Sequence, residues 1–171
     1  MIYPIVKFGD PVLEKQAEPI TNFDTPELNQ LIADMFESMY AAHGVGLAGP
    51  QIGISKCIAV IDITFKEDPN AKLVLINPEI VILDGKISES EGCLSIPEFR
   101  ENVTRAKRAT VRAQDAKGGF WEKTGEDLLA RAFQHEIDHL SGKLYIHRIS
   151  ALKRDLMKRK IRKLERAGEW K

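Results

Sequence analysis

Residues 126–142 read EDLLARAFQHEIDHLSG. The pattern turns helical after Gly125 and meets a natural stop at Gly142. Leu128, Ala132, His135 and His139 follow one another at intervals of 4, 3 and 4 residues, so they share one stripe of the predicted helix. Within it, His135-Glu136-Ile137-Asp138-His139 is a His-Glu-x-x-His motif. Positions four apart face the same way, so both imidazoles can reach one metal ion. Glu136 lies about 100° further round the helix, where it can reach a water on the metal without being a ligand. A metal-activated water beside a carboxylate that moves its proton is the equipment of a metal-dependent hydrolase. The competing reading is a helix with two surface histidines. Two of the chain's four histidines fall in this one pattern, which favours the metal.

Outward from this helix, residues 25–42 (TPELNQLIADMFESMYAA) place Leu28, Leu31, Ile32, Met35 and Met39 at helical spacing. Thr25 or Asp24 is the candidate cap, and Pro26 sits near the first turn. The segment HGVGLAGPQIG, residues 43–53, is too broken for a helix. Strand-like runs follow at 57–64 (CIAVIDIT), 72–82 (KLVLINPEIVI) and 101–118 (ENVTRAKRATVRAQDAKG), the last alternating and ending in a turn. Residues 149–166 are helical again and basic. The order helix, strands, helix, helix predicts an α+β fold, its antiparallel or mixed sheets packed around a central helix carrying the motif. With 171 residues the chain fits one domain, residues 1–148 forming the metal-dependent unit and 149–171 a helical extension of it.

A catalytic metal site needs a third protein ligand and one open position. Cys93 is the candidate, in Glu91-Gly92-Cys93-Leu94-Ser95-Ile96-Pro97, where Gly92 and Pro97 permit a sharp chain path. A core thiol is the other reading of Cys93, and a Glu or a third His is the alternative ligand. Cys57 sits in a strand-like run and reads as a buried apolar thiol. The formal net charge is zero, which gives no global attraction to nucleic acid or to a membrane surface. No run approaches the roughly 20 apolar residues of a membrane-spanning helix. The N-terminus lacks the features of a signal peptide, so the cytoplasm is the expected location.

Three segments together resemble the peptide deformylases: GVGLAGPQIG at 44–53, EGCLSIP at 91–97 and QHEIDHLSG at 134–142. The resemblance runs from the N-terminus to about residue 148. It implies that Cys93, His135 and His139 hold one divalent metal, natively Fe(II) and replaceable by Zn(II) or Ni(II), with Glu136 as general acid and base. It implies that Gln51 and the backbone N–H of Leu94 bind the formyl oxygen, that Val45 and Gly46 bind the substrate backbone in a strand-like manner, and that Arg100 stands beside a methionine pocket. The implied substrate is an N-formylmethionyl nascent peptide, with neither membrane nor DNA as partner. The setting is the bacterial cytoplasm in preference to an organelle. One departure is visible: Gly49 stands where the family usually has Ala, and the lost methyl is expected to widen or loosen that loop.

Leu128 and Ala132, one and two turns before the metal ligands, are expected to line the methionine pocket, or else to pack into the core. Arg131 is expected to rim the pocket with its head in water. Glu91, Asp138 and Arg105 are candidates to hold the imidazoles, with a surface salt bridge as the other reading of Arg105. From His147 to Lys171 there are ten Lys or Arg and three Asp or Glu, and Ile149, Leu152, Leu156, Met157, Ile161 and Leu164 form a narrow apolar stripe. This is a solvated helix docked on the domain, or a positive surface for an anionic partner. A C-terminal helix that contacts the ribosome is a feature of one bacterial branch of the resembled family. Two competing functions remain: a zinc peptidase of the His-Glu-x-x-His type, and a metal-stabilised domain that binds RNA through its basic tail.

Overall fold

The computed structural model describes residues 1–170. Helix α1 spans Pro26–Ala41, and the Thr25 side chain accepts from the Leu28 N–H at its start. Strands β1 (Gly46–Ala48), β2 (Ile58–Ile61), β3 (Leu73–Asp84), β4 (Ile87–Cys93), β5 (Ile96–Arg105), β6 (Arg108–Gln114) and β7 (Phe120–Glu126) follow, then α2 (Asp127–Leu140) and α3 (Ala151–Arg166). Five strands form one antiparallel sheet in the order β1-β2-β3-β6-β7. Strands β4 and β5 form a separate antiparallel pair.

Strand β2 explains the layering. All four residues of β2 are buried, so it has no polar face. Ile58 and Val60, with Ile76 of β3, pack on Leu28, Met35, Phe36, Met39 and Tyr40 of α1. The alternate residues Ala59 and Ile61 point to the other side. There they join Leu75, Ala109, Val111 and Ala113 against Ala130, Ala132, Phe133 and Leu140 of α2. The sheet is thus covered by a helix on each face. The many alanines beneath α2 let this helix lie close to the strands. A third cluster gathers Leu13, Ile96, Val103, Leu144, Tyr145, Ile146, Met157 and Ile161, and Cys93 is packed against it.

Several local expectations need correction. The run 101–118 is two strands, because the chain turns at Ala106 and Lys107. There Gln134 of α2 accepts from the Ala106 N–H (3.0 Å) and donates to its carbonyl (2.9 Å). Strands β4 and β7 carry few apolar residues and no clean alternation, so they form no legible signal. The apolar stripe of α3 is split: Met157 and Ile161 are buried, whereas Leu152 and Leu156 are 70% and 47% exposed. The Gly49 loop is closed, not widened. A Cβ at Gly49 would lie 2.7 Å from the Ile54 carbonyl oxygen and 2.9 Å from that of Lys56, so backbone occupies the space of the missing methyl.

Candidate metal centre

Three elements bring the predicted ligands together. Helix α2 supplies His135 and His139, and Cys93 ends β4 at the tight turn into β5. The ligand atoms of Cys93, His135 and His139 all lie within 4.8 Å of one another. His139 Nε2 is 3.1 Å from His135 Nε2 and 3.4 Å from Cys93 Sγ. A tetrahedral ion with ordinary bond lengths sets two nitrogen ligands about 3.3 Å apart, so this spacing fits.

The electrostatics favour a cation at the same point. Burial and the neighbouring His135 and Arg105 hold His139 well below the ordinary histidine range, so its lone pair is available. Burial opposes a charge on His135, but the neighbouring Glu136, Cys93 and Glu91 outweigh burial and raise its pKa. His135 Nδ1–H donates to Glu91 Oε1 at 2.5 Å; the carboxylate can only accept, which leaves Nε2 facing the cluster. Burial alone would raise Glu91, yet the bonds from His135 and Arg105 bring it down to about 2.

Glu136 is 4% exposed, and its Oε1 has no partner among the described residues. Burial, with the charges of Glu91 and Asp138, pushes its carboxyl up to about 7 against the opposing pull of His135 and Arg105. A Cβ at Gly46 would lie 2.5 Å from Glu136 Oε2, so only glycine lets β1 approach the carboxylate this closely. Gln51, 1% exposed, accepts from the Ala48 N–H (3.0 Å) and turns its amide toward Cys93 Sγ (3.5 Å) and Ser95 Oγ (3.3 Å). Orphaned polar atoms, crowded lone pairs and a thiolate-imidazole donor set together fit one divalent ion.

A cleft of about 550 Å³ opens over this cluster. Val45, Gly46, Gln51, Leu94, Arg100, Leu128, Ala132, His135 and Glu136 are all on its walls. Leu128 is half exposed at the mouth and Ala132 is buried. Strand β1 is an edge of the five-stranded sheet and borders the cleft at Gly46, while further along that edge the Ala48 N–H is taken by Gln51. Arg100 donates to Ser90 Oγ and to the Ser90 carbonyl (3.0 and 3.1 Å), which sets the head of Arg100 on the rim.

The family model described as polypeptide deformylase matches residues 2–155. A peptide deformylase from Acidobacterium capsulatum is 63% identical over 170 residues, covering 99% of each chain. This chain belongs to the polypeptide deformylase family. The solved peptide deformylase from Legionella pneumophila superposes with a TM-score of 0.90 at 46% identity, covering 100% of this chain and 99% of that one. A class I type b peptide deformylase from Acinetobacter baumannii, solved with Met-Ala-Ser bound, gives 0.81 at 32% identity over 87% of this chain and 99% of that one.

For Arg131 the expected position of the head fails, and for Arg105 one of two readings is selected. Arg131 is 7% exposed and its guanidinium is not in water: it donates to Glu91 Oε2 (2.9 Å) and to the carbonyls of Glu89 and Val103 (3.1 Å each). Arg105 takes the role of a group behind the imidazoles and not that of a surface salt bridge. It is 5% exposed and joins Glu91 (2.7 and 2.8 Å) to Asp138 (3.0 Å). A buried carboxylate pair drew both guanidiniums inward, since either charge alone would be costly there. Ser95, Gln134 and Arg148 also escaped the sequence reading. Arg131 had a usable signal, as it stands four residues before His135 on the buried face of α2.

Proposed function

We propose that this chain hydrolyses the formyl group from the N-terminal formylmethionine of newly made polypeptides and releases formate. The observation that carries the reading is a buried, partner-free Glu136 carboxylate beside the Cys93, His135 and His139 cluster, in a cleft bordered by the sheet edge at β1. Cys93, His135 and His139 would hold the ion, Fe(II) by family resemblance. When bound, it supplies Lewis-acid polarisation and makes water acidic enough to lose a proton near neutral pH. Glu136 takes the proton as the water oxygen bonds to the formyl carbon. It then delivers that proton to the peptide nitrogen as the C–N bond breaks, leaving formate and a free amine. The Gln51 amide and the Leu94 N–H face the formyl oxygen. Each donates a hydrogen bond without adding a charge as the oxygen becomes anionic. The sheet edge at Val45 and Gly46 takes the peptide as an added strand. Leu128 and Ala132 receive the methionine side chain, with Arg100 at its rim. Met-Ala-Ser bound to the Acinetobacter baumannii relative supports a peptide beginning with methionine.

The deciding assay measures formate released from formyl-Met-Ala-Ser, with metal content determined on the same anaerobic sample. Formate in proportion to bound iron is expected. Cleavage of internal bonds in unformylated peptides, with no formate, would instead mark a peptidase. Work on nascent chains in the bacterial cytoplasm would bring the enzyme to the ribosome. The exposed Arg159, Lys160, Arg162, Lys163 and Arg166 of α3 offer the ribosome a positive surface. Co-sedimentation with ribosomes should weaken in Lys160→Glu/Lys163→Glu and with added salt. Equal binding would reject that contact.

A further inference from the structure

We infer that Arg148 is a positioning residue for the metal centre, tying the C-terminal segment to His135 through a line of buried ion pairs. The line is continuous. Arg148 Nη2 donates to Asp138 Oδ1 (2.7 Å) and Arg148 Nε to Asp138 Oδ2 (3.1 Å). Asp138 Oδ2 also accepts from Arg105 Nη1 (3.0 Å). Arg105 then forks onto Glu91 through Nη2–Oε1 (2.7 Å) and Nε–Oε2 (2.8 Å), and Glu91 Oε1 holds His135 Nδ1 at 2.5 Å. Glu91, Arg105 and Asp138 are all nearly buried, whereas the Arg148 side chain is 45% exposed. Arg148 is thus the point where the line reaches the surface.

Asp138 is the pivot. Among the described residues its Oδ1 accepts a side-chain bond from Arg148 alone. Without Arg148 one oxygen of a buried carboxylate loses its donor, and the other must be satisfied by Arg105. Arg105 can meet that demand only by shifting its guanidinium, and Glu91 moves with it because the fork is rigid. Asp138 is also the residue next to His139, so both imidazoles feel the adjustment.

Arg148 is firmly placed by its own surroundings. It ends the 3-10 turn Tyr145–Arg148, whose Tyr145 and Ile146 are fully buried, and Ser150 two residues later caps α3. On the other flank, Met157 and Ile161 of α3 share a cluster with Ile96, and Cys93 packs against it. The C-terminal segment therefore supports the ligand helix by an ion pair and the ligand hairpin by packing. Displacing the segment removes the Arg148 support from the metal centre.

This inference rests on the metal reading of the cluster and not on the substrate. Its test uses the full chain loaded with Co(II), whose thiolate absorption reports release to an excess of chelator. Loss of a group that orients a ligand costs about 10- to 100-fold in metal affinity. Acting through three intermediaries, Asp138, Arg105 and Glu91, Arg148→Ala should speed release by about tenfold. Arg148→Lys, which keeps the charge and one bond, should stay within about twofold of the parent. Lys160→Ala, which removes one exposed charge from α3, should release at the parent rate. If Arg148→Ala does not fold, Arg148→Gln carries the same expectation. Parent-rate release in Arg148→Ala or Arg148→Gln, even with a lowered melting temperature, would overturn the proposal. So would equal acceleration by Lys160→Ala, which would mark a general charge effect. No formate enters this measurement, so failure of the deformylase reading would show separately.

Discussion

Glu136 places a proton-accepting group where burial resists its charge. In the metal-free protein its pKa of about 7 stands above the ordinary glutamate value of 4.5. The folded state then keeps a proton that the unfolded chain has lost, so folding stability falls as pH rises from about 4.5 to about 7. The cost is absent below that window and complete above it. Metal-free Glu136→Gln should therefore melt above metal-free parent at pH 8, and the gap should close by pH 4. A constant gap across that range would show that ionisation of Glu136 is not its cause. In the loaded enzyme the same substitution removes the proton carrier, and formate release should fall by roughly 10²- to 10⁴-fold with metal retained.

At the scale of elements, the turn Gly49–Ile52 and helix α2 make opposite demands. The turn is closed by backbone. A methyl at position 49 meets the carbonyl oxygens of Ile54 and Lys56, neither of which can swing aside like a side chain. Gly49→Ala should lower stability by about 1–3 kcal/mol in urea unfolding, the usual penalty for overpacking. No loss would mean that residues 54–56 yield freely. Helix α2 divides its faces: Phe133 is fully buried against the sheet, whereas Leu128 is half exposed at the cleft. Leu128→Asp should raise KM for formyl-Met peptides far more than it lowers kcat, since it changes the pocket and not the reacting groups. Full activity at low substrate concentration would remove Leu128 from the methionine site.

For the molecule as a whole, the two covered faces of the sheet and the third cluster have separate tasks. The helix-covered faces hold α2 in place, while the third cluster joins α3 to the hairpin that ends in Cys93. Ile161 is 1% exposed within that cluster. Truncating a buried isoleucine to alanine costs about 2–5 kcal/mol, so Ile161→Ala should show a clear drop in melting temperature. A change of less than a degree would place α3 outside the cooperative unit.

The sequence by itself determined the helices and the chemical types of the site. Periodicity located α1 and α2 to within a residue or two at each end, because helical spacing is a local property. The His-Glu-x-x-His spacing placed two imidazoles and a carboxylate on one helix for the same reason. Strands β4 and β7 escaped because their residues are mostly polar and exposed, and they are strands only through pairing with β5 and β6. Cys93 and His135 stand 42 residues apart, and no local pattern states that they meet. Their meeting depends on α2 docking on alanines beneath it and on the hairpin docking on the third cluster. The inward turn of Arg105 and Arg131 was likewise a tertiary decision: arginine favours water until buried carboxylates, brought near by the fold, offer a better partner.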